Sequence, residues 1–306
     1  MIVRPASRSP WLMLFTLKGS IVSIVWRRVV AMMLLATMVV FVEYRYTMDA
    51  AGLGAVPLML VGLTLAIFLG FRNSVAYERW WEARTLWGEL LIVVRNLTRQ
   101  TLSFTENVPA EQQRQLAHKL IAFSHALRHK LRGSSASADL VRWLGEDQAK
   151  RYLASSNAPN LLLGDINQAY AQLRRNGQLD NILFADIDKQ LNRLSYILGG
   201  CERITSTPMP FAYILLLHRT VYIYCFLLPF CLVGSLGWLT PIMVGVLSYT
   251  FFGLDALGEQ IEEPFGMLPN NLPLDALCRT IEISVAELLG DEDVPVAIKP
   301  LDGVLM

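Results

Sequence analysis

The 306-residue chain is 53% hydrophobic and 17% charged, with a formal net charge of +1 and a positive mean hydropathy. So even a charge balance, with no long basic run, speaks against a nucleic-acid partner. The apolar excess over an average soluble domain, about 45–50% by a count that includes Gly, is gathered into a few long runs, as in a membrane protein.

The first run, residues 29–42, follows Arg27 and Arg28, which can snorkel, and precedes Tyr44 and Tyr46, which suit the headgroup level. Paired arginines before a short apolar core also fit a signal peptide, yet no convincing cleavage site follows and more spans come later. Residues 51–71 carry no charge over 21 positions, the length of one helix across a hydrocarbon core of ~30 Å. Gly62, Ala66, Gly70 and Ser74 recur four apart there, beside a bulky row of Leu63, Ile67 and Phe71. Small residues at that spacing let membrane helices approach closely, within one subunit or around a ring of identical helices. The bulky row then faces either lipid or the ring axis, where stacked apolar rings form a constriction that gates by dewetting. Trp80, Trp81 and Trp87 beyond it suit an interfacial belt.

The next 135 or so residues contain no membrane-length apolar run and read as helices. Residues 86–98 are apolar at helical spacing, and residues 111–131 repeat Leu116, Leu120, Phe123, Leu127 and Leu131 near the 3.6-residue period. His118, His125 and His129 share one face of that second helix. They make either a metal-binding face, and with it a membrane-bound enzyme, or a solvated or interface helix; the pair four apart could bind zinc, but a catalytic site usually needs a third ligand and an open position, and there is no HExxH pattern. Asp139 is placed to cap a helix after the loop Gly133-Ser134-Ser135-Ala136-Ser137, and residues 182–198 form another amphipathic helix.

Residues 220–254 hold no charge over 35 positions, which suits two short spans turned at Gly234-Ser235-Leu236-Gly237. His218 and Arg219 lie either inside the third span or at its interface, and Arg219 reads as a paired, snorkelling cation. Glu262 and Glu263 follow the fourth span, as charges at a cytoplasmic mouth or as solvated helix-end acids. Pro264 ends or bends that helix. Residues 274–289 are again amphipathic, and the last stretch reads as a tail. Cys201, Cys225, Cys231 and Cys278 show no metal spacing and read as reduced, buried small hydrophobes.

Basic residues cluster before span one (Lys18, Arg27, Arg28), after span two (Arg72, Arg79, Arg84) and before span three (Arg193, Arg203), while the two short linkers hold only Arg45. Both termini are therefore expected in the cytoplasm. The fold expected is an all-α membrane protein with four spans and a large cytoplasmic helical region. Its parts are an N-terminal segment (1–28), spans one and two (29–72), a helical region (73–207), spans three and four (208–257) and C-terminal helices with a tail (258–306). No internal repeat marks it as a secondary transporter.

Three motifs lie in order along the chain: Leu14-Phe15-Thr16-Leu17-Lys18-Gly19-Ser20-Ile21; Gly70-Phe71 followed eight residues later by Arg79-Trp80-Trp81; and Glu259-Gln260 with Pro264-Phe265-Gly266. Together they resemble the bestrophin family of ion channels over roughly residues 5–290, and the short length suggests a bacterial member in the inner membrane. The resemblance implies a homopentamer around a central pore that passes small monovalent ions without a cofactor or catalysis. Animal and plant relatives pass anions such as chloride; the neutral neck leaves a cation such as sodium physically reasonable. In the family three apolar residues of the second span line the pore neck. Counted from Gly70-Phe71 they are Leu63, Ile67 and Phe71, where vertebrate relatives have Ile, Phe and Phe. A second, cytoplasmic constriction of the family falls on Ile182, counted back from Pro210-Phe211-Ala212-Tyr213. Animal members bind calcium through a run of acids after Pro-Phe-Gly. Here that run is Met267-Leu268-Pro269-Asn270-Asn271-Leu272, and Gln260 and Glu263 alone cannot supply the six to eight oxygens calcium takes. No calcium gating through this site is expected.

Overall fold

The structure is a computed structural model that describes residues 1, 19–46, 55–301 and 303–305. The predicted loop between the first two spans and most of the first family motif, residues 14–18, lie outside the described residues. Ten α-helices and no strand occur among the described residues; the pairings Thr105–Leu179 and Leu301–Val304 are isolated bridges. The helices are α1 (Val22–Tyr46), α2 (Ala55–Phe104), α3 (Ala110–Arg132), α4 (Ser137–Leu144), α5 (Glu146–Leu153), α6 (Ala158–Arg175), α7 (Asn181–Ser206), α8 (Phe211–Leu236), α9 (Thr240–Glu262) and α10 (Leu274–Leu289).

The described residues divide into two compact units, one of residues 19–46, 55–80 and 208–263, the other of residues 1, 81–207, 264–301 and 303–305. In the first, α1 packs on α8 and α9, and α8 on α9. Its core joins Val25 and Ala36 of α1, Leu65 and Leu69 of α2, Leu217, Val221 and Leu228 of α8, and Val244, Phe252 and Ala256 of α9. Gly245 permits the close approach of α1, since a Cβ there would lie 2.8 Å from the Met33 sulfur.

Three stretches are long and apolar enough to cross a membrane: Val22–Tyr46, Val56–Phe104 and Phe211–Glu262. The last is two helices, broken by the 3-10 turn Gly237–Leu239. The break falls later than the turn expected at 234–237, because Gly234, Ser235 and Leu236 continue α8 and only Gly237, at φ 50°, takes a backbone that other residues avoid. Few side chains in these stretches are covered, between 17% and 28% of each apolar window. Their apolar atoms are left for lipid or for further protein.

The second unit is a helical bundle in which α3 contacts α4, α6, α7 and α10. The period read along α3 is its core face: Leu116, Leu120, Phe123 and Leu127 are buried. Left-handed glycines end α3 and α10 (Gly133, φ 62°; Gly290, φ 72°), each followed by a backbone bond back to the last turn. Trp87 does not join an interfacial belt. It is fully buried here with Leu90, Val94 and Leu97, on the α2 face that closes this core, whereas Trp81 is 56% exposed. The four cysteines are free thiols, Cys201, Cys225 and Cys278 buried and Cys231 half-buried.

Candidate functional site

Helical phase sorts the first half of α2. Gly62, Leu65, Leu69, Arg72 and Ala76 are buried, recurring about every 3.5 residues, the spacing that keeps one face against neighbouring helices. A Cβ at Gly62 would lie 2.5 Å from the Tyr224 hydroxyl of α8, so this position must stay small. A strict four-residue spacing drifts by about 40° per step from a 3.6-residue turn. Ala66, Gly70 and Ser74 therefore leave the covered face and are exposed on the protomer, and a Cβ on Gly70 would meet nothing within 4 Å. Beside them Leu63, Ile67 and Phe71 are 60%, 49% and 62% exposed. The protomer thus carries an uncovered small edge next to an uncovered bulky apolar row.

Ile182 stands 79% exposed in the first turn of α7. Asp180 fixes that turn, its Oδ1 accepting from the Ile182 N–H at 2.7 Å. At the end of α9, Glu262 is buried, with its Oε2 3.8 Å from Arg72 Nη2, whereas Glu263 is exposed. The loop after Pro-Phe-Gly is closed by an amide: Asn271 Oδ1 accepts from the Leu268 N–H (2.6 Å), and the Leu272 N–H donates to Pro264 O (2.9 Å).

Two polar clusters escaped sequence reasoning. Asp255, the first charge after the apolar part of α9, is buried and receives Arg72 Nη1 at 2.5 Å and His218 Nδ1 at 2.8 Å. The signal was available: an acid within a membrane-length helix needs a partner, and Arg72 is the first charge after the apolar run of α2. His218 supplies the pairing expected of Arg219, which is exposed.

The second cluster resolves the histidine face of α3. His125 is buried, with Nε2 2.7 Å from Glu282 of α10 and Nδ1 3.4 Å from Asp139 of α4. Asp139 does not cap its helix, where Ala136 holds the cap position; it also takes Arg128 (2.6 Å) and His129 (2.8 Å). Asp275 receives Arg128 and Arg132, and Glu282 receives Arg279. His118 turns away, edge-on to Trp143 at 5.2 Å. Burial alone would lower the pKa of His125, but Asp139 and Glu282 outweigh it and raise it. Burial lowers His118 and His129, helped by Arg114 and Arg128 respectively. Hydrogen bonds from His125 and His129 hold the Asp139 carboxyl well below the usual range. The face is an internal salt-bridge network joining three helices, and no three His, Cys, Asp or Glu groups are arranged for a metal ion among the described residues.

A chain helical throughout its described secondary structure, with membrane-length apolar helices that its own core leaves largely uncovered, is an integral membrane protein. The family described as Bacterial/Fungal Bestrophin protein matches residues 1–287, and the chain belongs to it. It is 41% identical over 301 residues to the Voltage-dependent anion channel-forming protein YneE of Escherichia coli K12, covering 98% of both chains. A Voltage-dependent anion channel-forming protein of Mesorhizobium japonicum is 42% identical over 292 residues, 95% of this chain and 93% of that one. The crystal structure of a bacterial bestrophin homolog from Klebsiella pneumoniae matches with a TM-score of 0.84 at 41% identity, covering 88% of this chain and all of that chain.

Proposed function

We propose that the protein is a passive, homopentameric channel of the bacterial inner membrane that conducts small anions such as chloride. Each subunit crosses the bilayer four times, with α8 and α9 as the last two spans, and keeps both termini in the cytoplasm. Residues 1–28, 73–207 and 258–306 are the cytoplasmic parts, with the spans at 29–72 and 208–257. The observation that carries the reading is the uncovered Leu63, Ile67 and Phe71 row beside an uncovered small edge. Ala66, Gly70 and Ser74 let neighbouring copies of α2 pack closely, which aims the bulky row at the axis as a hydrophobic neck. Ile182 forms a second apolar constriction on the cytoplasmic side, and Glu262 and Glu263 set the charge near the cytoplasmic mouth. Family membership and the names of the relatives support the ion-conducting role.

No reaction is catalysed and no cofactor is needed. Ions move down their gradient, and the neck resists them by stripping hydration without returning polar contacts. Calcium does not gate through the loop after Pro-Phe-Gly, which offers amides where calcium prefers carboxylates. The test is Ile67→Ala with Phe71→Ala in reconstituted bilayers. Smaller rings raise conductance or hold the pore open; unchanged currents mean that this row faces lipid.

A further inference from the structure

Arg72 directly follows Phe71, and its side chain is 1% exposed. Its guanidinium reaches Asp255 Oδ1 at 2.5 Å and Glu262 Oε2 at 3.8 Å. Asp255 is 3% exposed, and its other oxygen lies 2.8 Å from His218 Nδ1, whose side chain is 41% exposed. One carboxylate of α9 therefore ties α2 and α8 together, one residue beyond the last side chain of the neck row. The approach is close. A Cβ on Gly258, in the next turn of α9, would lie 2.5 Å from Asn73 Oδ1 and 3.4 Å from Arg72 Nε. Leu69, Val221, Phe252 and Ala256 are buried in the same core, which deprives the ion pair of competing water. Such a pair is a poor source of net stability but suits the fixing of register between helices.

We propose that Asp255 is the positioning residue of the neck: through Arg72 it fixes the rotation and height of α2 at Phe71, and through His218 it ties α8 to the same point. The proposal rests on the neck reading above. Without the Asp255 carboxylate the buried Arg72 keeps only Glu262, at 3.8 Å, and α2 loses its near tie to α9 one residue beyond Phe71.

The experiment records currents in reconstituted bilayers for Asp255→Asn and Asp255→Glu, with size in detergent as the control for assembly. Asp255→Asn keeps the shape but strips Arg72 of its near counter-charge. Conductance or open fraction rises severalfold, in the same direction as for Phe71→Ala, and Asp255→Glu restores most of the difference. Where Asp255→Asn does not assemble, Arg72→Gln with Asp255→Asn removes both charges and is expected to loosen the neck equally. Wild-type currents in an assembled Asp255 variant overturn the positioning role. If Phe71→Ala itself changes nothing, the neck reading has failed; if Phe71→Ala acts and the Asp255 variants do not, only the positioning role has failed.

Discussion

His125 shows how a residue's neighbours reverse what burial alone would do. Burial disfavours the imidazolium, yet bonds to Asp139 and Glu282 leave its pKa raised. A pKa raised on folding contributes stability that is fully present below the unfolded value of about 6.5, and that is lost as pH rises through the folded value. The lowered pKa values of His118 and His129 pull the other way, so the sign is read against a single variant. The advantage of the wild type over His125→Asn in thermal unfolding is expected to be largest below about pH 6.5 and to shrink as pH rises. An advantage that grows with pH contradicts the charged, doubly paired histidine. Trp87 makes a second case at this scale. It sits on α2 in the core of the second helical bundle with no exposed surface, so Trp87→Ala is expected to cost about 3–5 kcal/mol by denaturant unfolding. A loss below about 1 kcal/mol is what an exposed belt residue would give. Neither environment was readable from spacing alone, since partners such as Glu282, 157 positions from His125, come together only in the fold.

At the scale of elements, most helices were legible and their joints were not. The apolar periods over 111–131, 182–198 and 274–289 correspond to α3, α7 and α10 because each buries one face against the same bundle. The second span and the stretch 86–98 read as separate helices, but α2 runs unbroken from Ala55 to Phe104. The residues between them, from Arg72 to Arg84, include five charged side chains and contain neither Pro nor Gly. Charge marks the edge of the apolar stretch, but nothing there stops a helix. The small stripe was legible as a motif, and its drift out of the core was not, because that depends on which face α8 covers. The two ends of the stripe separate by mutation. Gly62→Leu collides with Tyr224 inside the protomer and is expected to destabilise the folded subunit by about 1–3 kcal/mol. A Cβ on Gly70 meets nothing within 4 Å in the chain, so Gly70→Leu is expected to leave the chain folded and, where copies pack along this edge as proposed, to give a smaller particle in detergent. An intact Gly70→Leu oligomer would remove this edge from the subunit interface.

For the whole molecule, the question is where ion selectivity originates if the narrowest part carries no charge. Leu63, Ile67, Phe71 and Ile182 offer only hydrocarbon, so a neck built from them opposes cations and anions nearly alike through lost hydration. Discrimination by sign then falls to groups with longer reach, among them the exposed Glu263 beside the buried Glu262 at the end of α9. An exposed charge acts over about 8 Å at physiological ionic strength and about 3 Å at 1 M. If Glu263 lies near the mouth of an anion pathway it repels the permeant ion, and Glu263→Gln moves the reversal potential in a NaCl gradient further toward the chloride equilibrium. That shift should vanish near 1 M salt, where the charge is screened, whereas Ile67→Ala with Phe71→Ala should alter conductance at low and high salt alike. A wild-type reversal potential on the sodium side would assign the pore to cations while leaving the apolar neck intact. A Glu263→Gln shift that survives 1 M salt would place this carboxylate within the permeation path, rather than at its approach.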